Sequence, residues 1–199
     1  MSVIDKLKLS YAHMQLKREV ANISRDRTDP DIHRAGCIGI LYDATDRDTF
    51  EFVREFYKDL KDSHKSPVSL GYIDFKETLS FHPLARPEAD YFFKSQVNWL
   101  QKPNSAVVDN FINEPFDILI NLTLQDNYSL DYIAAVSKAG LKIGRAQSAV
   151  AFCYDLTFQL DESADLKTFA YTIVHYLSQI NHEHTSNHKR KRSSHYYTV

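Results

Sequence analysis

Residues 116–144 have the sequence FDILINLTLQDNYSLDYIAAVSKAGLKIG, and this stretch decides the fold. The apolar run at 118–124 is typical of a strand that is buried on both faces. The segment after Ser129 has helical spacing and a glycine stop at Gly140, and a second apolar run follows it. A strand, a helix and a second strand in this order predict a parallel sheet.

The same pattern continues on both sides of this unit. Strands are predicted at 36–42, 67–75, 91–93, 117–123, 141–145 and 152–159, and helices at 47–62, 105–113 and 166–180. Asp46 stands where the first of these helices needs an N-cap. Because strands alternate with helices, we expect an α/β fold with a single doubly wound, mostly parallel sheet of about six strands, Rossmann-like or flavodoxin-like. The last strand alternates polar and apolar residues, which favours an antiparallel edge.

Two further segments flank the predicted α/β domain at 35–180. Residues 1–34 contain an amphipathic helix at 3–22, followed by a linker that is rich in Asp and Arg. The apolar positions of that helix have helix-compatible spacing: Val3, Ile4, Leu7, Tyr11, Met14 and Val20. Residues 181–199 are rich in His, Lys and Arg and predict a disordered basic tail. Residues 76–88 contain Pro83 and Pro87, so the second crossover is expected to be short or absent.

The composition limits the class of protein. A chain of 199 residues with 43% hydrophobic residues suits one globular domain with a full core. The sequence lacks an apolar run of about 18 residues and the apolar core of a secretory signal, so a cytoplasmic location is expected. Cys37 and Cys153 both lie in apolar stretches, which favours two buried free thiols.

Polar residues follow the first and fourth predicted strands, where an open α/β sheet binds its ligands. The candidate ligand-binding residues are Asp43, Thr45, Thr123, Gln125, Asp126 and Arg145. If the two strands are neighbours, Asp43 and Asp126 face one crevice, and paired carboxylates suit Mg²⁺ or acid–base chemistry. The alternative is that Asp43, Asp46 and Asp126 cap helices and turns.

Other chemistry finds little support in the sequence. The predicted strand-to-helix loops contain no glycine, whereas phosphate-cradling loops need it, and no GxSxG motif is present. We therefore expect no nucleotide cofactor and no dedicated metal site, and we assign no catalytic residues.

Two groups of residues are candidates for partner binding. The first is Asn98, Trp99 and Lys102, where the only tryptophan of the chain either covers the sheet edge or forms a recognition surface. The second is the basic cluster Lys189, Arg190, Lys191 and Arg192, which suits a protein partner or an RNA or ribosome contact.

Several short motifs resemble an uncharacterised family of small Bacteroidota α/β proteins that is classed as a domain of unknown function. They are Asn98-Trp99, Lys102-Pro103, FDILI at 116–120, LDYI at 130–133, SKA at 137–139 and Ile143-Gly144. The resemblance covers about residues 35–180. It implies a cytoplasmic α/β domain and carries over no catalytic residues.

Two functions follow as hypotheses. The first is a non-catalytic interaction module that binds a protein or ribonucleoprotein through its terminal segments. The second is a small-molecule-binding protein or enzyme that uses the polar loops at the carboxyl edge of the sheet. The second requires that the candidate side chains converge in one concave site.

Overall fold

The computed structural model describes residues 3–29, 31–74, 89–161 and 163–193, with side chains described for 7–29, 31–74, 89–161 and 163–180. The helices are α1 Val3–Ala21, α2 Arg47–Asp62, α3 Ala106–Asn113, α4 Tyr128–Val136 and α5 Leu166–Ser193. The strands are β1 Cys37–Asp43, β2 Ser66–Ile73, β3 Asp90–Phe93, β4 Ile118–Leu122, β5 Leu141–Arg145 and β6 Leu156–Phe158. The predicted crossover at 76–88 lies outside the described residues.

All six strands form one parallel sheet in the order β3-β2-β1-β4-β5-β6. This is the doubly wound order of Rossmann-type folds, so the predicted fold class is confirmed. The order reverses between β1 and β4, which pair from Ile38↔Ile118 to Tyr42↔Leu122. The carboxyl ends of β1 and β4 therefore lie side by side, as the hypothesis of a common crevice requires.

Helices cover both faces of the sheet and give the protein two apolar cores. On one face, α2 and α5 pack over inward side chains of β1, β4 and β5, including Ile40, Ile120 and Ile143. On the other face, α1, α3 and α4 pack over Leu41, Leu119 and their neighbours. Because the central strands are buried on both faces, they are continuous apolar runs, as the sequence indicated.

The final strand differs from its prediction in length and direction. We expected a strand at 152–159 forming an antiparallel edge, but β6 has three residues and pairs parallel to β5. Ala151–Cys153 form a short 3₁₀ turn, and the Asp155 carboxylate accepts a hydrogen bond from the Lys142 amide at the start of β5, 2.9 Å away. The chain has thus returned to the beginning of β5 before β6 starts, which forces the parallel direction.

The predicted N-terminal helix is confirmed, but among the described side chains of its apolar stripe only Val20 packs against the core. Ala12 and Leu16 are buried, whereas Leu7, Tyr11 and Met14 are exposed. Hydroxyl groups of α4 hold α1 in place. Tyr128 donates to the Ala12 carbonyl oxygen at 3.0 Å, and Tyr132 donates to Glu19 Oε1 at 2.7 Å.

The segment between α1 and β1 is held against the end of α4. Arg25 donates to the carbonyl oxygens of Ala139 and Gly140 and forms an ion pair with Asp155 at 2.5 Å. The Thr28 amide also donates to the Gly140 carbonyl oxygen. Residues 3–29 therefore form part of the same folded body as the sheet.

The last helix is longer than predicted. Its backbone continues to Ser193, beyond the expected end at 180. Side chains from residue 181 onward are outside the described part, so the disordered tail remains a prediction. Among the described residues, the model has no helix with the combination of length and apolarity needed to cross a bilayer.

Candidate functional site

A cleft opens at the carboxyl edge of the sheet, where the strand order reverses between β1 and β4. We call it the switch-point cleft, and Asp43, Asp126 and Asn127 line both of its lobes. The first lobe lies on the α2–α5 side and has a volume of about 330 Å³. The second lobe lies on the α4 side and has a volume of about 560 Å³. Open α/β sheets bind ligands at this position.

Asp43 joins the two loops that form the floor of the cleft. Its Oδ1 accepts a hydrogen bond from the Thr45 amide at 3.0 Å. Its Oδ2 accepts one from Asn127 Nδ2 at 3.2 Å, across the β1–β4 boundary. The residue is half-buried at the end of β1. Asp43 therefore has the turn-capping role of the alternative interpretation and also presents its carboxylate to the cleft.

Both helices that begin at the cleft have a side-chain cap at the N-terminus. Asp46 Oδ1 accepts from the Thr49 amide at 2.9 Å and caps α2. Asn127 Oδ1 accepts from the amides of Ser129 and Leu130 and caps α4. A phosphate group at a helix N-terminus needs these amides free and disfavours a neighbouring carboxylate. The Rossmann strand order is thus combined with a cleft that is poorly suited to nucleotide phosphates.

Asp74, directly after β2, and Lys94, directly after β3, form one wall of the second lobe. The Asp74 amide donates to Thr45 Oγ1 at 3.0 Å, and Asp74 Oδ2 forms an ion pair with Lys94 at 2.7 Å. Both charged side chains line the lobe together with Tyr72 and Asn98. The wall is polar and close to charge-neutral, while Asp43 has no cationic partner among its described hydrogen bonds.

Arg145 lies behind the cleft at the end of β5. Its side chain is 10% exposed, and Nη2 donates to Asp126 Oδ1 at 2.8 Å. The Asp126 side chain is 67% exposed, so the ion pair joins a buried guanidinium to a carboxylate at the surface. Arg145 Nε is buried and has no hydrogen-bond partner among the described residues.

The six predicted ligand-binding residues are close together. Thr123 and Gln125 line the first lobe, Thr45 lines the second, and Asp43 and Asp126 line both. Arg145 reaches the cleft through Asp126. Five of the six candidates thus converge on the cleft, as the small-molecule hypothesis requires, whereas Arg145 lines neither lobe. The role of all six in binding stays a prediction.

Comparison with known sequences supports the resemblance seen in the short motifs. The profile of a family of unknown function, DUF6913, matches residues 8–180. The chain belongs to this family. The matched region starts inside α1, so the family includes this helix as well as the α/β domain predicted at 35–180. No curated protein and no solved structure matches the chain.

A buried polar network lies beneath the cleft and was not identified from the sequence. Asn121 Nδ2, in the middle of β4, donates to the Tyr154 hydroxyl at 2.8 Å and contacts Asp131 Oδ1 at 3.4 Å. Ser148 Oγ donates to the same oxygen of Asp131 at 3.1 Å. The pKa of Asp131 is raised to about 7, mainly by desolvation; the nearby Asp126 adds to the shift, while Ser148 and Arg145 oppose it. The polar residue inside the apolar run of β4 was the available signal.

Lys142 is a second buried charge, and its role is structural. The residue is 2% exposed, and its Nζ donates to the Ala135 carbonyl oxygen at 2.7 Å in the last turn of α4. Burial lowers the pKa of Lys142 to about 8. An ammonium group at a helix C-terminus satisfies carbonyl oxygens that the helix itself leaves unpaired.

The prediction that Trp99 might cover the sheet edge is wrong. Trp99 is 69% exposed at the tip of a tight loop from Asn98 to Lys102. Asn98 Oδ1 accepts from the amides of Leu100 and Lys102 and holds this loop closed. Lys102 points inward, where it pairs with Glu19 at 3.2 Å and lies over the Tyr132 ring. Trp99 is therefore the residue of the first partner-binding group that presents a large apolar surface to solvent.

The second group of partner candidates, the basic residues 189–192, has side chains outside the described part of the chain. Within the described residues, no group of three or more His, Cys, Asp or Glu side chains is placed to hold a metal ion. Cys37 and Cys153 are free, and burial raises the pKa of both thiols.

Proposed function

We propose that the protein binds a small polar molecule in the switch-point cleft. The observation that carries the proposal is the convergence of side chains from the ends of β1, β2 and β4 on one concave surface. Ligand sites combine a concave shape with a few polar groups that fix orientation, and the cleft has both properties. The proposal concerns binding and assigns no reaction.

The polar groups of the cleft favour a ligand with hydrogen-bond donors or an amino group. Asp43, Asp46 and Asp126 supply carboxylates to the first lobe, and Gln125 and Thr123 supply further polar atoms. The capped N-termini of α2 and α4 disfavour a phosphorylated ligand.

We also propose that the protein is cytoplasmic and comes from a member of the Bacteroidota. The support for both statements is the sequence alone.

Filling the first lobe tests the proposal. Gln125 is exposed and lines this lobe, so Gln125→Trp should block the lobe with little effect on folding. The matched control is Gln179→Trp, an exposed position on α5. Each protein is incubated with a mixture of small polar metabolites, and retained compounds are identified by mass spectrometry. We expect wild type and Gln179→Trp to retain a compound from the mixture. The amount of this compound that Gln125→Trp retains should be lower by at least about tenfold.

Two outcomes of that selection contradict the proposal. One is that wild type retains nothing from a mixture that covers amines, amino acids, sugars and organic acids. The other is that Gln125→Trp and Gln179→Trp retain the same compounds in the same amounts. Thermal unfolding of both variants shows whether a loss of retention reflects a loss of fold.

A second candidate function is a protein-interaction module, and the exposed apolar residues of α1 favour it. Leu7, Tyr11 and Met14 lie one turn apart and are all exposed. Apolar side chains grouped at the surface mark sites of protein contact. Replacing all three with Ser should remove a partner recovered by affinity purification, whereas the same replacement of exposed polar residues should retain it. Recovery of the same partners with both variants would exclude α1 as the contact.

A further inference from the structure

Arg145 is a buried charge with hydrogen-bonding capacity that the described residues leave partly unused. The residue is 9% exposed, and its described hydrogen bond is the single contact from Nη2 to Asp126. Its Nε is buried without a partner among the described residues. A guanidinium has five donors, and unpaired donors in a buried position are costly. The end of β5 therefore provides a preformed anion-binding group that is incompletely satisfied.

Asp126 is the part of this ion pair that can move. It is exposed, and it contacts Arg145 through one oxygen. A ligand carboxylate that approached the guanidinium could accept hydrogen bonds from two nitrogens, which is the stronger geometry. Asp126 would then be free to accept a hydrogen bond from a cation. Asp43, which also lines the cleft, would supply a second carboxylate for that cation.

The first lobe also offers an apolar wall. Leu122, Leu124 and Leu166 line it beside the carboxylates. Leu122 belongs to the same apolar core as Leu141 and Ile143 of β5. Since side chains alternate along a strand, Arg145 follows these two β5 residues on the same face of the sheet. Carboxylates and an apolar surface thus meet in this lobe, and Arg145, which does not line it, is reached from it through Asp126.

We propose that the switch-point cleft binds a zwitterionic α-amino acid with an apolar side chain. The ligand carboxylate replaces Asp126 on Arg145, the ligand ammonium binds Asp126 and Asp43, and the side chain contacts the leucines of the first lobe. This inference rests on the proposed function, because it names the class of molecule that the same cleft takes. Binding exchanges one internal ion pair for three ion pairs with the ligand.

Three compounds of matched shape test the inference by isothermal titration calorimetry. L-Leucine carries both charges, 4-methylpentanoate lacks the ammonium group, and 3-methylbutylamine lacks the carboxylate. We expect wild type to bind L-leucine at least about tenfold more tightly than either analogue, because each analogue loses the ion pairs that its missing charged group would form. Equal affinity for L-leucine and 3-methylbutylamine would overturn the inference.

The variant Asp126→Asn provides a second test, in which the affinity for one of the analogues should increase. The exposed position should tolerate the change, and Asp62→Asn, at an exposed position at the far end of α2, is the control. Without its internal competitor, Arg145 should bind 4-methylpentanoate about tenfold more tightly than in wild type, while affinity for L-leucine falls. Asp62→Asn should change neither value. Unchanged binding of 4-methylpentanoate in Asp126→Asn would contradict the assigned role of Arg145.

The two proposals fail in different ways. If none of the three compounds binds, but the mass-spectrometric selection finds a compound that Gln125→Trp loses, the amino-acid inference is wrong and the ligand cleft stands. If that selection also finds nothing, the proposed function is wrong as well.

Discussion

Asp131→Asn should remove a large pH-dependent loss of stability from the protein. Asp131 is 2% exposed, and its pKa is raised from 3.8 to about 7 by desolvation. Between pH 3.8 and about pH 7, Asp131 keeps its proton in the folded state and has released it in the unfolded state. The free energy of unfolding therefore falls as pH rises. Asn cannot titrate, and its Oδ1 can still accept from Ser148 and Asn121.

The expected difference is large enough for urea unfolding to measure. Between pH 5 and pH 8, the free energy of unfolding of wild type should fall by about 3 kcal/mol relative to that of Asp131→Asn. This figure comes from about 1.36 kcal/mol per pH unit between pH 5 and the folded-state pKa of about 7. All other titrating groups are shared, so they cancel in the comparison. Asp62→Asn changes an exposed carboxylate and should shift stability by at most about 1 kcal/mol at both pH values. A difference between Asp131→Asn and wild type that does not vary with pH would show that Asp131 is not held in its neutral form.

Gly144→Ala should destabilise the fold by about 3 kcal/mol, the upper end of the usual cost of overpacking. A Cβ at this position would lie closer than any normal contact to the Tyr154 ring. The ring cannot easily move away, because the Tyr154 hydroxyl accepts a hydrogen bond from Asn121 at 2.8 Å inside the buried network. The methyl group would therefore disturb β5 and the network together.

Gly36→Ala is the matched control for this substitution. A Cβ at Gly36 would meet only Asp117 Oδ2, at an ordinary distance of 3.6 Å. We expect its effect to stay within about 0.5 kcal/mol, as for most surface changes. The midpoints and slopes of urea unfolding for both variants provide the measurement. If Gly144→Ala and Gly36→Ala are equally stable, the close packing of Tyr154 on β5 is wrong.

Local pattern was enough to predict most of the central fold. The buried runs of β1, β4 and β5, the N-cap Asp46 and the extent of α2 all follow from residues near one another in sequence. The position of the cleft follows too, because parallel strands carry their following loops to one edge of the sheet. These features depend on the alternation of strands and helices, which the pattern of apolar residues in the sequence predicts directly.

Contacts between distant segments could not be predicted in the same way. The parallel direction of β6 depends on the contact of Asp155 with Lys142, and the orientation of α1 depends on hydroxyl groups of α4. Periodicity predicted an apolar stripe on α1 that contains Leu7, but it did not indicate that Ala12 would lie against Tyr128 of α4. The buried network also joins three segments, and a single Asn in an apolar strand does not indicate its partners.

Amide NMR of the isotope-labelled protein shows whether the switch-point cleft is the ligand site. The protein is titrated with the compound that wild type retains in the mass-spectrometric selection. We expect the largest shifts on residues 43–49 and 122–129, and we expect Gln125→Trp to abolish these shifts while Gln179→Trp preserves them. Shifts confined to α1 or to the loop that carries Trp99, with the cleft amides unchanged, would contradict this expectation.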